Sequence, residues 1–235
     1  MSLAFAVPTF AVWCDELWDT ILDLSALLPV GSWVLIGGQA VTAHSLAQAA
    51  AAGPGRDVDA VGRIVVTEAS MPMVRHTFRD LGFTTANAAP TSDLRFSRDA
   101  DDSGSSALPQ VWTVHVAGST SLLGADRALE NREPYQVTKG LRAPCVPVPT
   151  LAATIVYEAA RFARETETPF RHARDAAFLT SRLDDPRDAR ERMSGTDRYT
   201  LSALDAAVGN PDHHVWTRLA DPYSAHARWR ALTRA

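Results

Sequence analysis

Two aspartates separated by one residue, Asp57-Val58-Asp59, form the constellation in this chain best suited to chemistry. On a β-strand, side chains at i and i+2 leave the same face, so two carboxylates there can converge on one divalent ion. Without a cation, such close like charges raise each other's pKa, and a metal removes that conflict. A second feature lies upstream, the double glycine Gly37-Gly38. Lacking a Cβ, this backbone can approach a phosphate closely, and the N-terminus of a following helix adds positive potential. Mg2+ bridging a triphosphate would stabilise charge developing on the α-phosphate and on the leaving pyrophosphate. Either motif alone is common by chance, since D-x-D recurs in many proteins and Gly-Gly often only turns a chain. What joins them is their order: strand, Gly-Gly, helix, loop, strand carrying D-x-D.

Several elements must position these residues. Trp33-Val34-Leu35-Ile36 is a short β-branched and aromatic run that ends at Gly37-Gly38, and the alanine-rich stretch over 39–52 predicts a helix. Gly53, Pro54 and Gly55 mark a loop before Arg56. From Asp57 through Val61 to Ile64-Val65-Val66 the chain reads as a strand, with both aspartates on one face and Val58 on the other. Upstream, Leu17, Ile21, Leu24 and Leu28 predict an amphipathic helix over 14–28, stopped by Pro29 and Gly31. Downstream, Met71, Val74, Phe78 and Leu81 predict a helix ending at Gly82. Strands are expected over 94–97 and 111–116, with an acidic, serine-rich solvated loop over 99–106 between them. Two prolines exclude 145–149 from a central strand, and the segment reads as an extended link into a helix over 150–165. Helices follow over 171–182, around 202–208 and over 223–233. The expected fold class is α/β: a mixed sheet flanked by helices over 1–145, then a mostly helical C-terminal domain over 146–235.

Composition narrows the function classes. At 46% hydrophobic and 21% charged residues the chain is of soluble globular type, and its net charge of −4 excludes a molecule that attracts nucleic acid as a whole. No apolar run approaches the ~20 residues of a membrane span. Cys14 and Cys145 lack metal-binding spacing and read as two buried or half-buried thiols in a reducing, cytoplasmic setting. Lys139 is the one lysine, so a phosphate held by a side chain is expected to be held by arginine.

Leu35-Ile36-Gly37-Gly38-Gln39-Ala40-Val41 followed by Gly55-Arg56-Asp57-Val58-Asp59 resembles the AbiEii-type toxins of the polymerase-beta-like nucleotidyltransferase superfamily. The likeness continues through Leu81-Gly82-Phe83, Leu94-Arg95-Phe96, Pro147-Val148-Pro149 and the run from Arg171 to Leu179, and so touches most of 33–183. It implies a nucleotidyltransferase-like mixed sheet flanked by helices, Mg2+ held by Asp57 and Asp59, and a nucleoside triphosphate cradled at Gly37 and Gly38. It further implies nucleotide transfer to an RNA or other hydroxyl acceptor, and an antitoxin protein as partner. Arg56 abuts the acidic pair. Arg161 is placed to stand in for a family lysine whose position falls at Tyr157 or Glu158, and Arg174-Asp175 matches a basic-acidic helix motif. The family's third carboxylate is replaced by His115. Histidine suits Mg2+ poorly, so His115 reads either as a base toward the acceptor hydroxyl or as a filler in a site that has lost its reaction. A degenerate member that binds nucleotide or a partner without catalysis is the alternative to an active transferase.

Each residue also has a structural reading. Arg56 would only neutralise the aspartates. Glu158 and Arg161, one helical turn apart, would form an ion pair, and Arg174-Asp175 would be a surface salt bridge worth at most ~1 kcal/mol. The arginine-rich stretch over 182–198 reads as a charged, solvated helix and loop. His213-His214 has no companion ligands, and Trp216 and Trp229 read as core anchors.

Overall fold

The computed structural model describes residues 3–8, 12–48, 61–86, 93–99, 109–118 and 124–234. The chain divides into two compact units, Met1–Pro149 and Thr150–Ala235. In chain order the first contains β1 (Leu3–Ala6), α1 (Val12–Leu27), β2 (Trp33–Leu35), α2 (Gly38–Ala47), β3 (Val61–Val66), α3 (Met71–Asp80), β4 (Thr84–Ala86), β5 (Leu94–Arg98), β6 (Gln110–Val116), α4 (Ala125–Glu130), β7 (Arg132–Thr138) and β8 (Cys145–Pro149). The fold is α/β, with mixed sheets flanked by helices and a helical C-terminal region. The segment with Arg56, Asp57 and Asp59, the small-residue loop before it and most of the serine-rich loop over 99–106 lie outside the described residues.

A five-stranded sheet runs in the order β2-β3-β6-β5-β4. β2 pairs antiparallel with β3, β3 parallel with β6, and β6 antiparallel with β5. The register puts Leu35, Ile64, Val114 and Leu94 in one row across four strands. Because alternate residues face opposite ways, this row and its even neighbours define the core face. α1 supplies Leu17, Trp18 and Ile21 to that core, and α3 supplies Val74 and Phe78. The Phe78 ring stacks on Phe96 at 4.4 Å between centroids. Gly62 lies under Trp112 on this face: a Cβ there would stand 2.5 Å from the indole carbons.

The second sheet, β1-β7-β8, contributes Tyr135, Val137, Val146 and Val148 to the same core. β8 is an edge strand, where Pro147, opposite Pro134, interrupts no further ladder. The segment expected to link two domains therefore completes the first unit. Cys145 is an exposed free thiol there, against the expectation of a buried or half-buried one. Beyond β7, Lys139 Nζ donates to the Asp15 carbonyl and pairs with Asp19 Oδ2, each at 2.8 Å, and Arg142 Nη2 meets Asp23 Oδ1 at 2.6 Å. These contacts tie the β7–β8 hairpin to α1.

The second unit comprises α5 (Leu151–Phe162), α6 (Pro169–Ser181), α7 (Pro186–Glu191), α8 (Gly195–Val208), α9 (His214–Thr217) and α10 (Pro222–Thr233). Thr150 caps α5, and Ser194 with Asp197 forms a capping box on α8. Trp216 and Trp229 are fully buried, and their indole N–H groups donate to the Val208 carbonyl at 2.6 Å and to Asp205 Oδ1 at 2.8 Å. They are core anchors with satisfied polar ends. Among the described residues no helix is long and apolar enough to cross a membrane.

Candidate functional site

The double glycine sits where β2 leaves the sheet. Gly37 has φ 71° and ψ −152°, a conformation reserved almost entirely for glycine, and it caps α2. Its carbonyl accepts from the Ala40 and Val41 N–H groups at 3.0 and 3.2 Å, starting the helix. The preceding residue, Ile36, donates its N–H to the Arg63 carbonyl at 3.0 Å, so the turn lies beside the first half of β3. The Arg63 side chain lies against it: a Cβ on Gly37 would stand 3.7 Å from Arg63 Cδ and 3.8 Å from Nη1. Nothing in the sequence marks Arg63, which is 26 residues from Gly37 and meets it only through strand pairing. β3 opens at Val61, two residues after Asp59.

His115 lies on β6 opposite Val65, four residues beyond Val61 in the parallel register and so roughly 13 Å along the strand from the start of β3. It is 4% exposed, and its Nδ1 lies 2.8 Å from Asp93 Oδ1. The two groups are in contact without hydrogen-bond alignment. Asp93 precedes β5 and continues the row Val34, Val65, His115 on the face away from the core. A carboxylate against one ring nitrogen orients the imidazole. Nothing in the sequence marks Asp93, because only the β5–β6 register makes it a neighbour of a residue 22 positions away.

Arg161, Arg174 and Asp175 belong to the helical unit. Arg161 Nη2 pairs with Glu165 Oε2 at 3.6 Å rather than with Glu158. Glu158 is buried, and its Oε2 meets His172 Nδ1 at 2.6 Å, clamping α5 to α6. The Glu165 carboxyl is held below the usual carboxylate range, chiefly by the Glu167 N–H and then by Arg161, Arg171 and His172. Arg174 is exposed on α6 and Asp175 is half-buried. Tyr157 is buried in α5. His213 and His214 pack together with Phe170, their rings 4.3 Å apart, and burial and then His214 lower the His213 pKa. Among the described residues no group of three His, Cys, Asp or Glu side chains could hold a metal ion.

A buried polar chain locks the back of α2. His44 Nε2 donates to the Pro149 carbonyl at 2.9 Å, which leaves Nδ1 to accept from the Tyr135 hydroxyl at 2.8 Å. Burial lowers the His44 pKa from 6.5 to about 4, against the opposing effect of the Pro149 bond. Tyr135 is pushed upward by burial and then by Glu133, whose own carboxyl is raised by burial. This neutral His–Tyr pair fixes α2, and with it the Gly37 turn, against the second sheet. No family model and no curated protein matches the chain.

Proposed function

We propose that this protein is a cytoplasmic, Mg2+-dependent nucleotidyltransferase that moves a nucleotide from a nucleoside triphosphate onto an RNA or other hydroxyl acceptor. The observation that carries the reading is the Gly37 turn: a glycine-only backbone conformation opening a helix, beside the strand that runs directly out of the Asp57-Val58-Asp59 segment. In this reading the Gly37-Gly38 backbone cradles the triphosphate. Asp57 and Asp59 offer the hard oxygen donors that Mg2+ prefers, whereas His115, held by Asp93, does not suit that ion. When bound, the metal neutralises charge on the transferring phosphate. Arg56 is the candidate group for a further nucleotide contact, and His115 for taking the acceptor proton. An antitoxin protein would restrain the activity, as the AbiEii-like motifs suggest.

The test is incorporation of labelled nucleotide into RNA or a small alcohol. Wild-type protein is expected to incorporate it with Mg2+, and Asp57→Ala to reduce the rate by at least about a thousandfold through loss of charge stabilisation. Wild-type protein that labels no acceptor with any nucleotide and metal tried would overturn the transferase reading.

One observation favours a second reading, a degenerate member that binds nucleotide or a partner without turnover. His115 is buried against Asp93 well along the strand, and of the two positions where the family's lysine would fall, Tyr157 is buried in α5 and Glu158 is buried against His172, so none of them supplies the family's carboxylate or lysine. Calorimetry beside the incorporation assay separates the two: nucleotide binding without turnover favours this reading, and turnover removes it.

A further inference from the structure

We propose that His44 and Tyr135 are positioning residues for the triphosphate: their hydrogen-bonded chain to the Pro149 carbonyl sets where α2 lies, and thereby where the Gly37-Gly38 backbone meets the phosphates; the identity of the ligand rests on the nucleotide-binding reading above. Residues 39–45 of α2 are all buried, a run of about two turns that covers every side of the helix. Several of these side chains are small, among them Ala40, Val41 and Ala43. Burial of such a surface is non-directional, so by itself it leaves a helix able to slide or turn slightly in its seat. Hydrogen bonds are directional and remove that freedom. The Thr42 hydroxyl bonds within the helix, to the Gly38 carbonyl at 2.8 Å. His44 bonds outside it, through both ring nitrogens.

The two anchors lie on neighbouring strands. Pro149 is the last residue of β8, and Tyr135 stands on β7 opposite Val146 of β8. Bonds from two sides of one ring to two strands fix both the height and the rotation of α2. The Tyr135 ring is itself held edge-on by Phe5 and His44, at 6.1 and 5.5 Å between centroids. Seven residues separate His44 from Gly37, about 10 Å of helix, and so short a helix moves as one body. A displacement of the His44 ring therefore reaches the Gly37 carbonyl, which receives the Ala40 and Val41 N–H groups. In a site that holds reacting groups, a misplacement of about 1 Å costs as much as about a hundredfold in rate.

Amide hydrogen exchange of Ala40 and Val41 in the full chain reads the turn without any ligand. Tyr135→Phe keeps the ring and removes only the hydroxyl, so it remains informative where His44→Ala fails to fold. It is expected to lower the protection of both amides about fivefold, the effect of one lost neutral hydrogen bond. His44→Ala should lower it further, and His44→Gln, whose amide still donates toward Pro149, less than His44→Ala. Calorimetric titration with magnesium tripolyphosphate, well below each melting temperature, then reads the consequence: binding by wild type, weakened about fivefold by Tyr135→Phe. Phe78→Leu, on α3, loosens the core and should leave that affinity unchanged. Unchanged protection in Tyr135→Phe overturns the positioning role. An affinity loss that Phe78→Leu reproduces overturns it too, because the loss then follows stability alone. Lost protection with equal affinities in wild type and Tyr135→Phe overturns the link from the turn to the phosphates and leaves the transferase reading standing. Wild type that binds no tripolyphosphate, with protection lost in Tyr135→Phe, defeats the phosphate cradle of that reading and leaves the tie between His44 and the turn.

Discussion

His44 resists protonation because it is buried away from water, an effect that outweighs the opposing bond from its Nε2 to the Pro149 carbonyl. The unfolded chain takes up a proton at this residue below pH 6.5, whereas the folded chain waits until about pH 4. Its folded pKa being the lower, the neutral pair contributes its full stability above pH 6.5 and loses it as pH falls toward 4. The gap corresponds to about 3 kcal/mol. Urea unfolding between pH 7 and pH 4.5 should therefore show a steep loss of stability in wild type and a flatter one in His44→Gln; parallel curves would disprove the assignment. The residue types at the proposed site were partly legible in advance. Gly37 could be picked out because a strand run stops there and an alanine-rich helix begins. Arg63 and Asp93 could not, because no spacing rule in a sequence reveals which residues the β2–β3 and β5–β6 pairings bring together.

At the scale of elements, long amphipathic segments declared themselves. α1, α3 and α5 each carry apolar residues at helical spacing and bury that stripe. β1 and β4, four and three residues long, did not: such short runs gain their strand character from pairing with distant segments, as β1 does with β7 through Leu3 and Tyr135. Glycine marks a different limit. Gly62 looks, in sequence, like a weak point in a valine-rich strand, yet the indole of Trp112 fills the space its side chain would occupy. Gly62→Ala should thus destabilise the protein by about 1–3 kcal/mol through overpacking of β3 against β6. A denaturant midpoint equal to that of wild type would show that Trp112 yields without cost.

For the whole molecule, each compact unit holds buried aromatic and aliphatic residues of its own. The helical unit has capped helices and two buried tryptophans with satisfied indole groups, features that depend on no residue before Thr150. A polypeptide covering 150–235 is expected to be helical by circular dichroism and to unfold in one cooperative transition. A broad, non-cooperative melt would show that it depends on the first unit. The preference for arginine also has a practical side. The single ε-amine among these 235 residues belongs to Lys139, which grips both a carbonyl and a carboxylate of α1. Amine-directed acylation of side chains is thereby confined to one address, and modification there would unfasten the hairpin from the helix, so the extent of labelling becomes a direct gauge of how often that clasp opens.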